Sequence, residues 1–134
     1  MPPPRRGAVA VIVRDDCLLV ICRAKCVVAP GAFCFPGGHI EENETEEQAL
    51  VRELREELDA LVRPIRRVWQ SVSPSGVELN WWFAEIDTAC TPTPNPSEVE
   101  SIHWMTPSEL AMHPKTLESN RLFMAALRAG DARL

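Results

Sequence analysis

The stretch from Gly37 to Ala60 limits the fold more than any other part of the chain. Gly37 and Gly38 interrupt regular structure and allow a close backbone approach. Soon afterwards a helix signal begins. Thr45 suits an N-cap, Gln48 completes a capping box three positions later, and Glu46 and Glu47 occupy the first turn. Leu50, Leu54 and Leu58 recur at i, i+4, so a helix is predicted to about Leu58 with an apolar stripe for docking on a sheet. A chain of 134 residues can bury a real core beneath such a helix, so residues 1–134 read as a single domain.

The sheet is legible on both sides of that helix. Ala8–Val13 and Cys17–Ile21 are apolar runs around Asp15-Asp16, which predicts two strands and a turn. Ala29-Pro30-Gly31 and Phe35-Pro36-Gly37-Gly38 read as loops. Beyond Pro64, strands are predicted at Ile65–Val72, Val77–Ile86 and Val99–Met105. Thr91–Pro96 is too rich in proline for regular structure and reads as a surface loop. Thr106-Pro107 opens a short helix, and a last helix is predicted over Glu118–Ala129. Leu122, Phe123, Ala126 and Leu127 form its apolar face and Gly130 ends it. The fold class is a mixed α/β domain.

Charge is unevenly placed. The net charge is -5, from 14 Lys+Arg and 19 Asp+Glu. Glu41 to Asp59 holds nine acids against Arg52 and Arg55, so this window carries −7 and the remaining chain +2. Glu53, Glu56 and Glu57 stand at i, i+3 and i+4, on one helix face near its C-terminus. Each opposes the macrodipole at about 0.3–1 kcal/mol, and each i, i+4 repulsion adds roughly 0.2–0.5 kcal/mol. A divalent cation such as Mg²⁺ or Mn²⁺ removes that cost. The plainer reading is a solvated face of a Glu-rich helix. Arg52, beside Glu53, can orient a carboxylate through a forked hydrogen bond.

Other classes drop out. The apolar run at Ala8–Val13 is far too short to span a membrane. Met1–Arg6 lacks the apolar core and cleavage site of an export signal. The acidic balance argues against a duplex nucleic-acid binder. Five cysteines, Cys17, Cys22, Cys26, Cys34 and Cys90, with no CxxC pair, read as reduced thiols of a cytoplasmic protein. A zinc site from Cys17, Cys22 and Cys26 is the alternative.

The charged positions resemble the signature of the Nudix hydrolases, G-x5-E-x7-R-E-U-x-E-E-x-G-U, with U a bulky apolar residue. Gly38, Glu44, Arg52-Glu53-Leu54 and Glu56-Glu57 match it. Asp59 replaces the closing glycine, and Ala60 is a small version of the apolar residue. Asp tolerates the left-handed conformation better than most residues. Gly31–His39 and Glu98–Leu110 extend the resemblance. It implies a Nudix fold, a mixed β-sheet sandwiched between helices, and Mg²⁺-dependent (or Mn²⁺-dependent) hydrolysis of a nucleoside diphosphate linked to another group. It implies that Glu53, Glu56 and Glu57 hold the metal near the Gly37 or Gly38 carbonyl. One of them, most often the counterpart of Glu53, activates water. Arg52 and Glu44 would support the loop and helix, and Glu98 is a further catalytic candidate or an exposed loop acid.

Substrate markers are sparser. The short chain resembles the MutT-type nucleoside triphosphate pyrophosphatases, which release a monophosphate and pyrophosphate. Asn120 matches the residue that reads the base in that group, or is simply a helix-start residue. Trp81 and Trp82 point to opposite faces of a strand, one into the core and one free to stack on a base, with Trp69 a weaker candidate. His39 is a phosphate contact or a loop residue. Pro74 lies near where ADP-ribose members carry a proline, but Ser73-Pro74-Ser75-Gly76 also reads as a hairpin turn. ADP-ribose, nucleotide-sugar or dinucleotide cleavage is therefore one alternative, and a non-catalytic nucleotide-binding module another. A small nucleotide is the expected partner, without nucleic acid or membrane, and the protein is expected as a monomer or homodimer.

Overall fold

The computed structural model describes residues 5–134. Most of the Met1–Arg6 segment considered for export therefore lies outside the described residues. Strand β1 (Arg6–Arg14) turns into β2 (Cys17–Arg23), with Arg14 opposite Cys17. Asp15 and Asp16 both have positive φ, 51° and 63°, as a two-residue hairpin of matching twist requires. Two short strands follow, β3 (Phe33–Cys34) and β4 (Gly37–His39). The sequence suggested only a loop around Gly37-Gly38. Pairing with β1, Gly7 to His39 and Val9 to Gly37, makes it a strand.

Helix α1 (Glu46–Leu58) has the predicted limits, and the Thr45–Gln48 capping box is formed. It ends at Asp59, which takes the left-handed conformation at φ 48°. The long strands β5 (Val62–Val72) and β6 (Glu78–Ile86) follow, then β7 (Val99–Met105), α2 (Pro107–Met112) and α3 (Glu118–Ala129). Strand β5 starts at Val62, before the proline that was expected to precede it. Pro64 is accommodated because β5 pairs only with β6 and shifts register between Pro64 and Arg66. The Ser73–Gly76 segment is a hairpin turn, closed by Gly76 N–H donating to the Ser73 carbonyl at 2.9 Å.

The principal strand order is β3-β2-β1-β6-β5, with β4 beside β1 and β7 beside β2. The β1–β6 pair is parallel and the others are antiparallel, so the sheet is mixed. Alternation along β1 sends Ala8, Ala10 and Ile12 to one core, under Leu50, Leu54 and Leu58 of α1. It sends Val11 to the other, with Trp81 and α3 residues Phe123, Met124 and Ala126. Two apolar layers thus hold the sheet between helices. Leu122 departs from the expected α3 face and is 48% exposed. Met124 is buried instead, because the helix is oriented by Phe123 stacking on Trp81 at 4.6 Å between ring centres.

Candidate active site

The sheet and α1 meet where β1 and β4 pair, and there the acidic helix turns part of its charge inward. Glu57 is 7% exposed, and its Oε1 accepts a hydrogen bond from Gly37 N–H at 2.9 Å. Glu53 lies against Gly38 so closely that a β-carbon on residue 38 would fall 2.4 Å from its carboxyl carbon. The glycine is required there for space. Arg52 does not enter this contact but organises it. Its Nη1 donates to Glu53 Oε1 at 2.9 Å, and its Nε and Nη2 form a fork on Glu44 at 2.8 and 2.9 Å. Nη2 also donates to the His39 carbonyl at 2.8 Å. One guanidinium thereby joins the loop before α1 to the middle of the helix.

Titration behaviour follows from these surroundings. Burial raises the Glu53 carboxyl above its usual range, against the opposing hydrogen bond and charge of Arg52. Burial also pushes Glu57 up to about 8; the Gly37 N–H opposes this, while Glu53 and Glu98 add repulsion. The Arg52 fork does the reverse to Glu44 and lowers it. Glu98 lies in the cleft beside them, and its buried Oε2 has no hydrogen-bond partner. Three carboxyl groups therefore share a low-dielectric cleft, two of them with raised proton affinity and one with an orphaned oxygen. Such a set lacks a cation.

The donors present fit a hard divalent ion, which takes oxygen ligands. Glu56 is set apart from them, with a half-exposed side chain and Oε2 at 3.4 Å from Arg52 Nη1. Among the described residues, no three His, Cys, Asp or Glu side chains are already gathered in coordinating geometry. That includes Cys17, Cys22 and Cys26, so the zinc alternative gains no support. All five cysteines are free.

The cleft has a volume of about 350 Å³. Of the residues singled out from the sequence, it brings together Gly37, Gly38, His39, Glu53, Glu57, Trp81, Glu98 and Asn120. Trp81 is fully buried, and its Nε1 donates to Ser71 Oγ at 2.9 Å. Trp69 packs beside it, with ring centres 5.9 Å apart. Asn120 is 4% exposed and its Oδ1 accepts from Phe35 N–H at 2.9 Å. Trp82 does not join the cleft. It packs against the α1 side of the sheet, where its Nε1 donates to Glu46 Oε1 at 2.8 Å. Arg23 lines the cleft without having been foreseen. As the last residue of a strand it carried no local signal, and only folding brings its charge near Glu57. Ser119, beside Asn120, was missed for the same reason.

Comparison with known proteins gives a consistent result. A family model described as NUDIX domain matches residues 3–127. A CTP pyrophosphohydrolase of Escherichia coli is 32% identical over 108 residues, which cover 78% of each chain. An NAD-capped RNA hydrolase, NudC, of Deinococcus radiodurans is 32% identical over 93 residues, or 69% of this chain. The match spans only 33% of that longer relative. The solution structure of the E. coli ORF135 protein superposes with a TM-score of 0.74 at 27% identity, covering 94% of this chain and 91% of that one.

Proposed function

The chain belongs to the Nudix hydrolase family, whose enzymes cleave phosphoanhydrides linked to nucleotides, and we propose that this member converts a (deoxy)nucleoside triphosphate to the monophosphate and pyrophosphate with Mg²⁺ or Mn²⁺. The observation that carries this reading is the meeting of Glu53, Glu57 and the unpartnered Glu98 oxygen in one cleft. The likeness to a CTP pyrophosphohydrolase over most of both chains also supports it.

Glu53, Glu57 and Glu98 would hold the cation from the cleft side, with Glu56 reaching in from the exposed side of the helix. When bound, the cation stabilises charge on the phosphoryl oxygens and the leaving group. The Glu53 carboxylate takes a proton from the attacking water, and its raised proton affinity suits a general base. Arg52 fixes that carboxylate in one orientation through its hydrogen bond. Gly37 N–H does the same for Glu57. Arg23 supplies a positive charge on the facing wall for the polyphosphate. The five free cysteines favour a reducing compartment, the cytoplasm. No helix among the described residues is long and apolar enough to cross a membrane.

The deciding experiment is a nucleotide panel with Mg²⁺ and with Mn²⁺, followed by product identification. Monophosphate plus pyrophosphate is expected, with turnover lost in Glu53→Gln and Glu57→Gln while both variants stay folded. Release of orthophosphate alone, or full activity in both variants, would overturn the proposal.

A further inference from the structure

Gly7 is a glycine without a backbone reason. It lies on β1 between two partners, opposite His39 on β4 and Leu79 on β6. Its φ is not among the positive values, so any residue could adopt its conformation. A glycine inside a strand normally weakens it and marks a close approach by something else. The neighbours show where that approach occurs. A β-carbon at position 7 would stand 3.2 Å from Leu79 Cδ2, 3.5 Å from the Gly38 carbonyl oxygen and 3.8 Å from Val77 Cγ1. Gly7, Gly38, Val77 and Leu79 all line the cleft. The absent side chain therefore leaves a niche in the cleft wall, apolar on the β6 side and beginning beside the glycine that packs on Glu53.

We propose that Gly7 sets the size of the nucleobase this cleft accepts, and that its niche admits the second ring of a purine. This rests on reading the cleft as a nucleotide site. The phosphates need the carboxylate and cation end, and an apolar ring face needs an apolar wall. Val9, Val77 and Leu79 supply such a wall, with Gly7 at its centre. A single-ring base leaves the niche empty and forfeits contact with its lining. A fused-ring base fills it. A side chain at position 7 would occupy the same space, so it should discriminate by ring size.

The test is equilibrium binding of GMP and CMP, in the presence of MgCl2, to the wild type, Gly7→Ala and Gly7→Val. Binding of products is measured because it does not depend on turnover. In Gly7→Val, GMP should weaken by about tenfold or more and CMP by less than about threefold, the scale on which one methylene group is discriminated. Gly7→Ala should act in the same direction and less strongly, since the flexible end of Leu79 can yield. Adding Leu79→Ala to Gly7→Val should recover GMP binding. Melting temperature separates the alternative that glycine serves only packing. The proposal expects it unchanged or raised in Gly7→Ala, whereas a packing role lowers it. Equal weakening of GMP and CMP, no weakening of either, or a wild type that binds neither overturns the proposal. A wild type that binds GMP in this size-dependent way, yet hydrolyses no nucleotide, would instead refute the catalytic reading alone.

Discussion

The Glu53 carboxyl group lies where a β-carbon on residue 38 would otherwise stand, 2.4 Å from that position. The contact ties the Gly-rich strand to the helix, and Arg52 holds the carboxylate in place from the other side. Gly38→Ala should therefore displace Glu53 without unfolding the protein, because the conflict is with the end of a side chain. A loss on the order of 10²-fold in kcat/KM is expected, the scale of a misplaced reacting group. Circular dichroism should be unchanged. A variant retaining more than half of wild-type activity would contradict this arrangement.

Glu57 gives the metal-free protein an unusual pH dependence. Its carboxyl is raised from 4.5 to about 8 in the folded state. A raised carboxyl favours the folded state in its protonated form. Its contribution is complete below about 4.5 and disappears as pH rises through about 8. With EDTA present, the melting temperature should fall between those limits. Saturating Mg²⁺ takes the proton's place and should flatten the fall. A melting temperature that rises across this window in EDTA would contradict the buried Glu57 environment.

The Arg52–Glu44 fork should behave as a coupled pair. Its bonds are 2.8 and 2.9 Å long, and both side chains are largely shielded from water. Arg52→Gln and Glu44→Gln should each cost about 1–3 kcal/mol, the range for a charged hydrogen bond losing its partner. In a double-mutant cycle the two losses should not add. Arg52→Lys keeps the charge but not the fork, so it should recover only part of the stability. Additive losses in urea denaturation would show that the fork contributes nothing of its own.

Asp59 closes α1 in the left-handed conformation at φ 48°. Asp59→Gly removes a β-carbon from that region and should stabilise the protein by about 0.5–1 kcal/mol. The midpoint of urea unfolding measures this directly. A destabilised variant would show that the Asp59 side chain makes a contribution larger than its backbone strain.

The elements that depend on neighbours in sequence were readable from the chain. The limits of α1 follow from Thr45, Gln48 and the leucine stripe, all within a few residues of one another. The hairpin at Asp15-Asp16 and the ends of α3 are equally local. The spacing of Gly38, Glu44, Arg52, Glu53 and Glu57 was visible too. In the folded chain it becomes the Arg52 bridge to Glu44 and the packing of Gly38 on Glu53.

Tertiary packing decided the rest. The sequence placed Trp81 and Trp82 on opposite faces by alternation, but it could not say which face carries the cleft. Phe123 stacking on Trp81 and Glu46 accepting from Trp82 settle that. It left Glu53, Glu56 and Glu57 as equals on one stripe. Docking on the sheet buries Glu57 and leaves Glu56 half exposed, because a helix of that pitch turns only part of an i, i+3, i+4 set toward one surface. Arg23, Ser119 and the niche at Gly7 had no local signature at all. Their place in the cleft depends on strand pairing and helix docking between residues distant in the chain. Local chemistry thus determined the helix and its charges, and the burial imposed by packing decided which of those charges face the cleft.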